Sequence, residues 1–310
     1  MQVRGFFIAL GFCFLLCGGC MAAIDSTTIS KTEIPIEISK PASEVISVWK
    51  GTALETVAPQ VTISVYLPET NKKNGTSVVL FPGGGYAYVS DIKEGVNCAK
   101  WLNERGITAF VVNYRVAPNS LHPAPLMDAT RAMRIIRSKA SGWNINPERI
   151  GIWGFSAGGH LAATLGTYFD LGIVDSSDPI ERISCKPNFM ILAYPVITMD
   201  SKYTSARSRE NVIGKDPSDK LIDELSVEKH VSSSTPATFI FTTDEDKAVP
   251  PENSVFYYLA LRKAGVPAEL HIYRTGKHGL NLAQQFPLLK SWPDLLESWI
   301  KGLGFLEETK

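Results

Sequence analysis

The stretch RIGIWGFSAGGHLA at residues 149–162 sets Gly154, Ser156 and Gly158 as GxSxG between a β-branched run and an alanine-rich helical pattern. A serine at such a strand-to-helix bend sits under backbone strain, and only glycine at 154 and 158 lets the bend close without side-chain clashes. Its hydroxyl is then presented at a helix start, where free amides and the dipole favour developing negative charge.

Outward from this bend, short β-branched runs alternate with amphipathic segments. The strands are expected at VTISVYL from 61, SVVLFP from 77, ITAFVVNY from 107, RIGIWG from 149, FMILAYP from 189, TFIFTT from 238 and AELHIYR from 268. Helices are expected near 93–105, 125–140, 157–168, 252–264 and 292–302. Gly106, Pro125, Gly265 and Pro267 stand where helices should stop or begin. The alternation predicts an α/β fold, a mostly parallel central sheet with helices on both faces. Residues 33–58 read as leading edge strands and loops. A polar stretch from about Thr198 to Thr235, with short helical patches, follows the carboxyl end of a strand and should lie beside the functional edge of the sheet.

A serine hydroxyl is a weak nucleophile until a base takes its proton. Of the five histidines, His278 lies in TGKHGLNL, a glycine-flanked loop just past the last expected strand, and has the position and chain order of a base. His160, one helical turn past Ser156, should pack or hydrogen-bond beneath it. His271 alternates within a strand, and His122 and His230 lie in loops. The acid that orients the histidine should fall between serine and histidine at a strand end, where TFIFTTDEDKAVP offers Asp244, Glu245 and Asp246. Asp246 has the acid-x-x-Val-Pro spacing to Val249 and Pro250; Asp244 is the alternative, since the acid is defined by role and geometry. For the oxyanion, VVLFPGGGYAYVS supplies consecutive glycines after a strand, and the amides of Gly84 and Gly85, with that of Ala157, are the expected donors.

The 310 residues, 45% apolar, suffice for one large domain, and Lys+Arg and Asp+Glu balance at 31 each. That balance disfavours nucleic acid or an anionic membrane surface as a partner. Arg4 followed by GFFIALGFCFLLCGG reads as an export signal over residues 1–22, too short for a bilayer span, with residues 23–310 as a single domain. Cys20 is a site for a lipid anchor, although Cys17 stands where such signals carry leucine. The expected location is therefore periplasmic, secreted or anchored to a bacterial envelope. Cys98 and Cys185 read as buried free thiols, and neither a metal nor a cofactor is expected.

FPGGGY (81–86), HPAPLMDATRAMRIIRSKASGWNINPERIGIWGFSAGGHLAATLGT (122–167), YPVITM (194–199), SRENVIG (208–214), DEDKAVPPENS (244–254) and GVPAELHIYRTGKHGL (265–280) carry a family resemblance. Together they resemble the acetylxylan-esterase-like branch of the α/β-hydrolase fold (BD-FAE, carbohydrate-esterase-like), related to the HGGG-type carboxylesterases. The likeness extends over the chain from about residue 50. It departs at Phe81-Pro82, where many carboxylesterases have His-Gly, and at Lys277, where this branch commonly has glycine.

The resemblance implies a serine carboxylic ester hydrolase that removes small acyl groups, chiefly acetyl, from plant polysaccharide or oligosaccharide such as xylan. Tyr86, Tyr88, Tyr194 and Tyr203 are aromatic groups that could stack on a sugar, with packing the commoner role for any one of them. Two other readings share the motifs. A prolyl-oligopeptidase-like peptidase would need a propeller domain, for which fewer than about 60 residues before the sheet leave no room. A non-catalytic carbohydrate-binding module would keep the fold but has no need of a complete triad.

Overall fold

The computed structural model describes residues 41–118 and 121–306, all within one compact unit. Residues 1–22, read above as an export signal, and with them Cys20, lie outside the described residues. An eight-stranded sheet has the order β1-β2-β4-β3-β5-β6-β7-β8, built from β1 (Glu44–Ser47), β2 (Thr62–Tyr66), β3 (Ser77–Phe81), β4 (Thr108–Asn113), β5 (Ile150–Phe155), β6 (Phe189–Ala193), β7 (Ala237–Thr243) and β8 (Ala268–Tyr273). Only the pairings β1–β2 and β2–β4 are antiparallel; every later neighbour is parallel.

The central strands β3, β5 and β6 are buried at every residue, as expected of parallel strands covered on both faces. Alternate side chains divide between two cores: Val78, Leu80, Trp153 and Phe155 point one way, Val79, Phe81, Ile150 and Ile152 the other. Helices α1 (Asn97–Glu104) and α7 (Trp292–Gly302) cover the first face. The second is covered by α2 (Ala124–Ser138), α3 (Ser156–Tyr168) and α6 (Glu252–Lys263). The helix expected near 93–105 is in fact two pieces, a π-helical turn over Asp91–Val96 running into α1. The polar stretch after β6 contains α4 (Ala206–Ile213) and α5 (Asp219–Leu225).

On the outer side of α2, buried arginines meet acids of the excursion that follows α3. Arg131 Nη1 lies 2.7 Å from Asp178 and 2.6 Å from Glu181, and Arg134 Nη2 lies 2.7 Å from Asp170, with Nη1 of Arg134 on Glu181 as well. These pairs pin the 170–183 segment against the second core.

Among the described residues no helix is long and apolar enough to cross a membrane. Cys98 and Cys185 are buried and free.

Candidate active site

The parallel strands deliver their following loops to one edge of the sheet, which is where α/β folds place their sites. Ser156 begins α3 directly after β5 with φ of +53°, a left-handed backbone that non-glycine residues rarely adopt. A Cβ at Gly154 would come within 2.3 Å of the Gly158 carbonyl oxygen, and one at Gly158 within 2.0 Å of the Phe81 carbonyl oxygen. Any side chain at either position would push the bend open.

The loop after β8 brings His278 to this serine. Its Nε2 lies 2.7 Å from Ser156 Oγ, and its Nδ1 lies 2.6 Å from Asp246 Oδ2. A carboxylate only accepts, so Nδ1 carries the proton and Nε2 is left to accept from the serine hydroxyl. The loop after β7 decides between the neighbouring acids. Asp244 and Glu245 are exposed, whereas Asp246 is 3% exposed. Its other oxygen, Oδ1, accepts from the amides of Ala248 at 2.9 Å and Val249 at 3.0 Å, so the Asp-x-x-Val turn itself fixes the carboxylate. Asp244 takes no part in the chain of hydrogen bonds from Ser156.

The oxyanion loop after β3 is held carbonyl by carbonyl. Tyr114 Oη donates to the Pro82 oxygen at 2.6 Å, the Ser90 amide to Gly83 at 2.9 Å, the Ala87 amide to Gly84 at 3.1 Å, Asn211 Nδ2 to Gly85 at 2.8 Å and the Ala117 amide to Tyr86 at 2.8 Å. The Gly83 amide donates to Glu94 Oε2 at 2.7 Å. Among the described residues the amides of Gly84 and Gly85 have no protein acceptor, and Ala157 is in the first turn of α3, where helix amides have no intrahelical partner. Gly84 and Gly85 thus keep unoccupied amides on a loop whose carbonyls from Pro82 to Tyr86 are all engaged, and Ala157 adds the third expected donor from the start of α3. Gly84, at φ +135°, could not be replaced, since a Cβ there would sit 2.0 Å from the Tyr88 carbonyl oxygen.

His160 carries out the support expected of it. Nε2 donates to the Leu225 carbonyl at 2.8 Å, so Nδ1 accepts from Tyr86 Oη at 2.9 Å. Burial lowers its pKa to about 4 and keeps the ring neutral. Tyr86, at φ +55°, is thereby fixed at the end of the oxyanion loop. The missing His-Gly of that loop is replaced by Tyr114, Glu94 and the Tyr86–His160 pair.

A cleft of about 640 Å³ opens over Ser156 and His278, walled by Gly84, Gly85, Tyr88, Ser90, Lys93, Arg207, Lys247 and the start of α4. The Thr198–Thr235 stretch does reach the site through Thr204–Ser208. Tyr86 and Tyr194 are buried at 1% and 2% exposure and face protein partners. Tyr203 packs its ring on Phe256. Tyr88, 54% exposed, is the member of the four that offers a ring to the cleft.

Sequence reasoning passed over Glu94 and Asn281, and it read Tyr194 as a ring for a sugar or for packing, not as a hydrogen-bonding link between loops. Glu94 had a usable signal: with Cys98, Trp101 and Leu102 it lies on the helical spacing that becomes the buried stripe, where an acid is out of place. Tyr194 and Asn281 had none, because their roles come from backbone turns at φ +39° and +55°.

Comparison with known proteins places the fold among esterases and related hydrolases. The chain is 39% identical to an acetylxylan esterase of Xylanibacter ruminicola over 77% of this chain and 47% of that protein. It is 36% identical to endo-1,4-beta-xylanase B of Butyrivibrio fibrisolvens, over 79% of this chain and 37% of that protein. The chain therefore spans less than half the length of these two relatives. Among solved structures, an acetyl ester-xyloside bifunctional hydrolase from Caldicellulosiruptor lactoaceticus superimposes with a TM-score of 0.81 at 41% identity, covering 86% of this chain and 98% of that one. With the BD-FAE family model matching residues 63–261 on an α/β-hydrolase fold, the chain belongs to the BD-FAE family.

Proposed function

We propose that this protein is a serine esterase that removes acetyl groups from sugar hydroxyls of xylan or of oligosaccharides released from it. The observation that carries the reading is the continuous chain Ser156 Oγ, His278 Nε2, His278 Nδ1, Asp246 Oδ2 at 2.7 and 2.6 Å, set beside unoccupied loop amides. His278 takes the serine proton as Oγ attacks the ester carbonyl, and Asp246 stabilises the imidazolium that forms. The amides of Gly84, Gly85 and Ala157 receive the oxyanion. His278 then protonates the departing sugar oxygen, and a water molecule activated by the same ring releases acetate from Ser156.

The wall of the cleft supports a short acyl group on a polar acceptor. Ser90, Lys93, Arg207 and Lys247 line it and give the acceptor side of the cleft polar and charged groups. A long acyl chain would meet charge in place of an apolar tunnel. The names of the relatives point to xylan as acceptor. The signal-like residues 1–22 support an exported enzyme, with Cys20 as a lipidation site.

The test is a panel of acetate, butyrate and octanoate esters together with acetylated xylan. Acetate should turn over fastest and be released from xylan. Preference for octanoate with no acetate freed from xylan would refute the substrate assignment.

A further inference from the structure

Glu94 is 5% exposed, in the π-helical turn before α1, and no cation comes within ion-pair distance of it among the described residues. Burial raises its pKa, against the lowering effect of its hydrogen bonds and of His278 and Lys93. A carboxyl group placed at such cost beside a reaction centre calls for a reason. Its two oxygens reach different loops. Oε2 accepts the Gly83 amide at 2.7 Å, one residue before the first oxyanion donor, and Oε1 accepts Tyr194 Oη at 2.8 Å. Tyr194 Oη in turn accepts the Asn281 amide at 2.9 Å, in the loop that carries His278. The Tyr194 ring meets the His278 ring edge-on, with centroids 5.1 Å apart.

Both Tyr194 and Asn281 sit at positive φ, as does Ser156. Strained backbone persists only where the surroundings over-determine it, and here the same chain of hydrogen bonds fixes both strained turns. A π-helical turn inside a helix start is likewise a feature found disproportionately at functional sites. Space around Gly83 is already filled: a Cβ there would lie 2.9 Å from Glu94 Oε2 and 3.0 Å from Ser156 Cβ. The Glu94 carboxylate, the Gly83 amide and the nucleophile are therefore packed as one layer.

We propose that Glu94, through Tyr194, is a positioning residue that sets the oxyanion loop and the histidine loop against each other for the chemical step. Neither Glu94 nor Tyr194 touches the ester. Glu94 fixes the direction of the Gly84 and Gly85 amides by anchoring the residue before them, and Tyr194 transmits the same anchor to the loop of His278. Loss of the anchor spoils alignment in the transition state and leaves substrate binding in place, since the oxyanion donors act when charge develops.

The experiment measures kcat and KM on 4-nitrophenyl acetate for the full chain and for Glu94→Ala, Glu94→Gln and Tyr194→Phe, with folding checked by circular dichroism. It rests on the esterase reading, which the wild-type rate tests by itself; the ratios among variants test the positioning role. Glu94→Ala should lower kcat on the order of 10²-fold with KM changed by less than about threefold. Glu94→Gln, which keeps an acceptor for the Gly83 amide, should recover to within about tenfold of wild type, and Tyr194→Phe should lose about tenfold in kcat. Adding Tyr194→Phe to Glu94→Ala should cost almost nothing more, because the two act as one unit. Folded variants with wild-type kcat, or losses confined to KM, or fully additive losses in the double variant, would overturn the proposal. Should Glu94→Ala fail to fold, Glu94→Gln and Tyr194→Phe decide on the same criteria.

Discussion

The outer face of α2 and the carboxyl edge of the sheet treat buried charge in opposite ways. On α2 the buried arginines are Arg131 and Arg134, which meet Asp170, Asp178 and Glu181 of the segment after α3, so each has a permanent counter-ion. At the sheet edge Asp246 and Glu94 are 3% and 5% exposed, yet neither is paired with lysine or arginine among the described residues. Asp246 faces a histidine that becomes a cation only when Ser156 gives up its proton, and Glu94 faces an amide and a phenol. Full neutralisation holds a segment in place; withheld neutralisation leaves a field that acts when charge appears in the reaction.

The contrast breaks most visibly at Asp246. Asp246→Asn keeps the shape but lets the side chain donate to His278, which stabilises the wrong tautomer, and kcat for ester hydrolysis should fall on the order of 10⁴-fold with little loss of folding stability. A small change in kcat would show that the carboxylate plays a structural part like those on α2.

A second difference is in sensitivity to pH. His160 is buried beneath the oxyanion loop, and its pKa is lowered from 6.5 to about 4 by burial. A depressed folded-state value means that its stabilisation is complete above pH 6.5 and is lost as the pH falls towards 4, when the unfolded chain binds a proton that the folded one refuses. The group should account for about 3 kcal/mol of lost stability over that window. Urea unfolding between pH 7 and pH 4 should show a shallower slope for His160→Gln than for the wild type. Parallel slopes would mean that His160 is not held neutral.

The smallest effect is expected on the α2 face. Arg134→Ala leaves Glu181 and Asp170 short of a partner, and stability should drop by about 2 kcal/mol, moderated because both acids are partly exposed. Turnover per folded molecule should stay within about twofold of the wild type, since neither Arg134 nor its partners line the cleft over Ser156. A fall in kcat comparable with that of the Asp246 variant would erase the distinction between the two regions.

Much of the sheet was legible because its signal is local: short apolar runs such as SVVLF and FMILA are buried on both sides and admit few other readings. The Ser156 bend, the chain order Ser, Asp, His and the glycines at 84 and 85 were legible for the same reason, since each needs a particular residue type at a particular step. What was not legible depends on contacts distant in sequence. Glu94 meets Gly83 and Tyr194, and Tyr194 meets Asn281, across separations that no period in the sequence encodes. The start of α1 was placed early because Asp91–Val96 has helical composition but π geometry, which hydrophobic spacing does not separate from an α-helix. Asp246 stood apart from Asp244 by one cue alone, its distance to Val249, and the structure supplies the cause in the two amides that turn back onto its carboxylate.

The central claim is that the Ser156 hydroxyl is the group His278 activates. Treatment with a fluorophosphonate followed by peptide mass spectrometry reads this directly: a single phosphonyl adduct on Ser156 is expected, formed much more slowly in His278→Gln and absent in Ser156→Ala. A folded wild-type protein that takes no label, or takes it on another residue, would contradict the account.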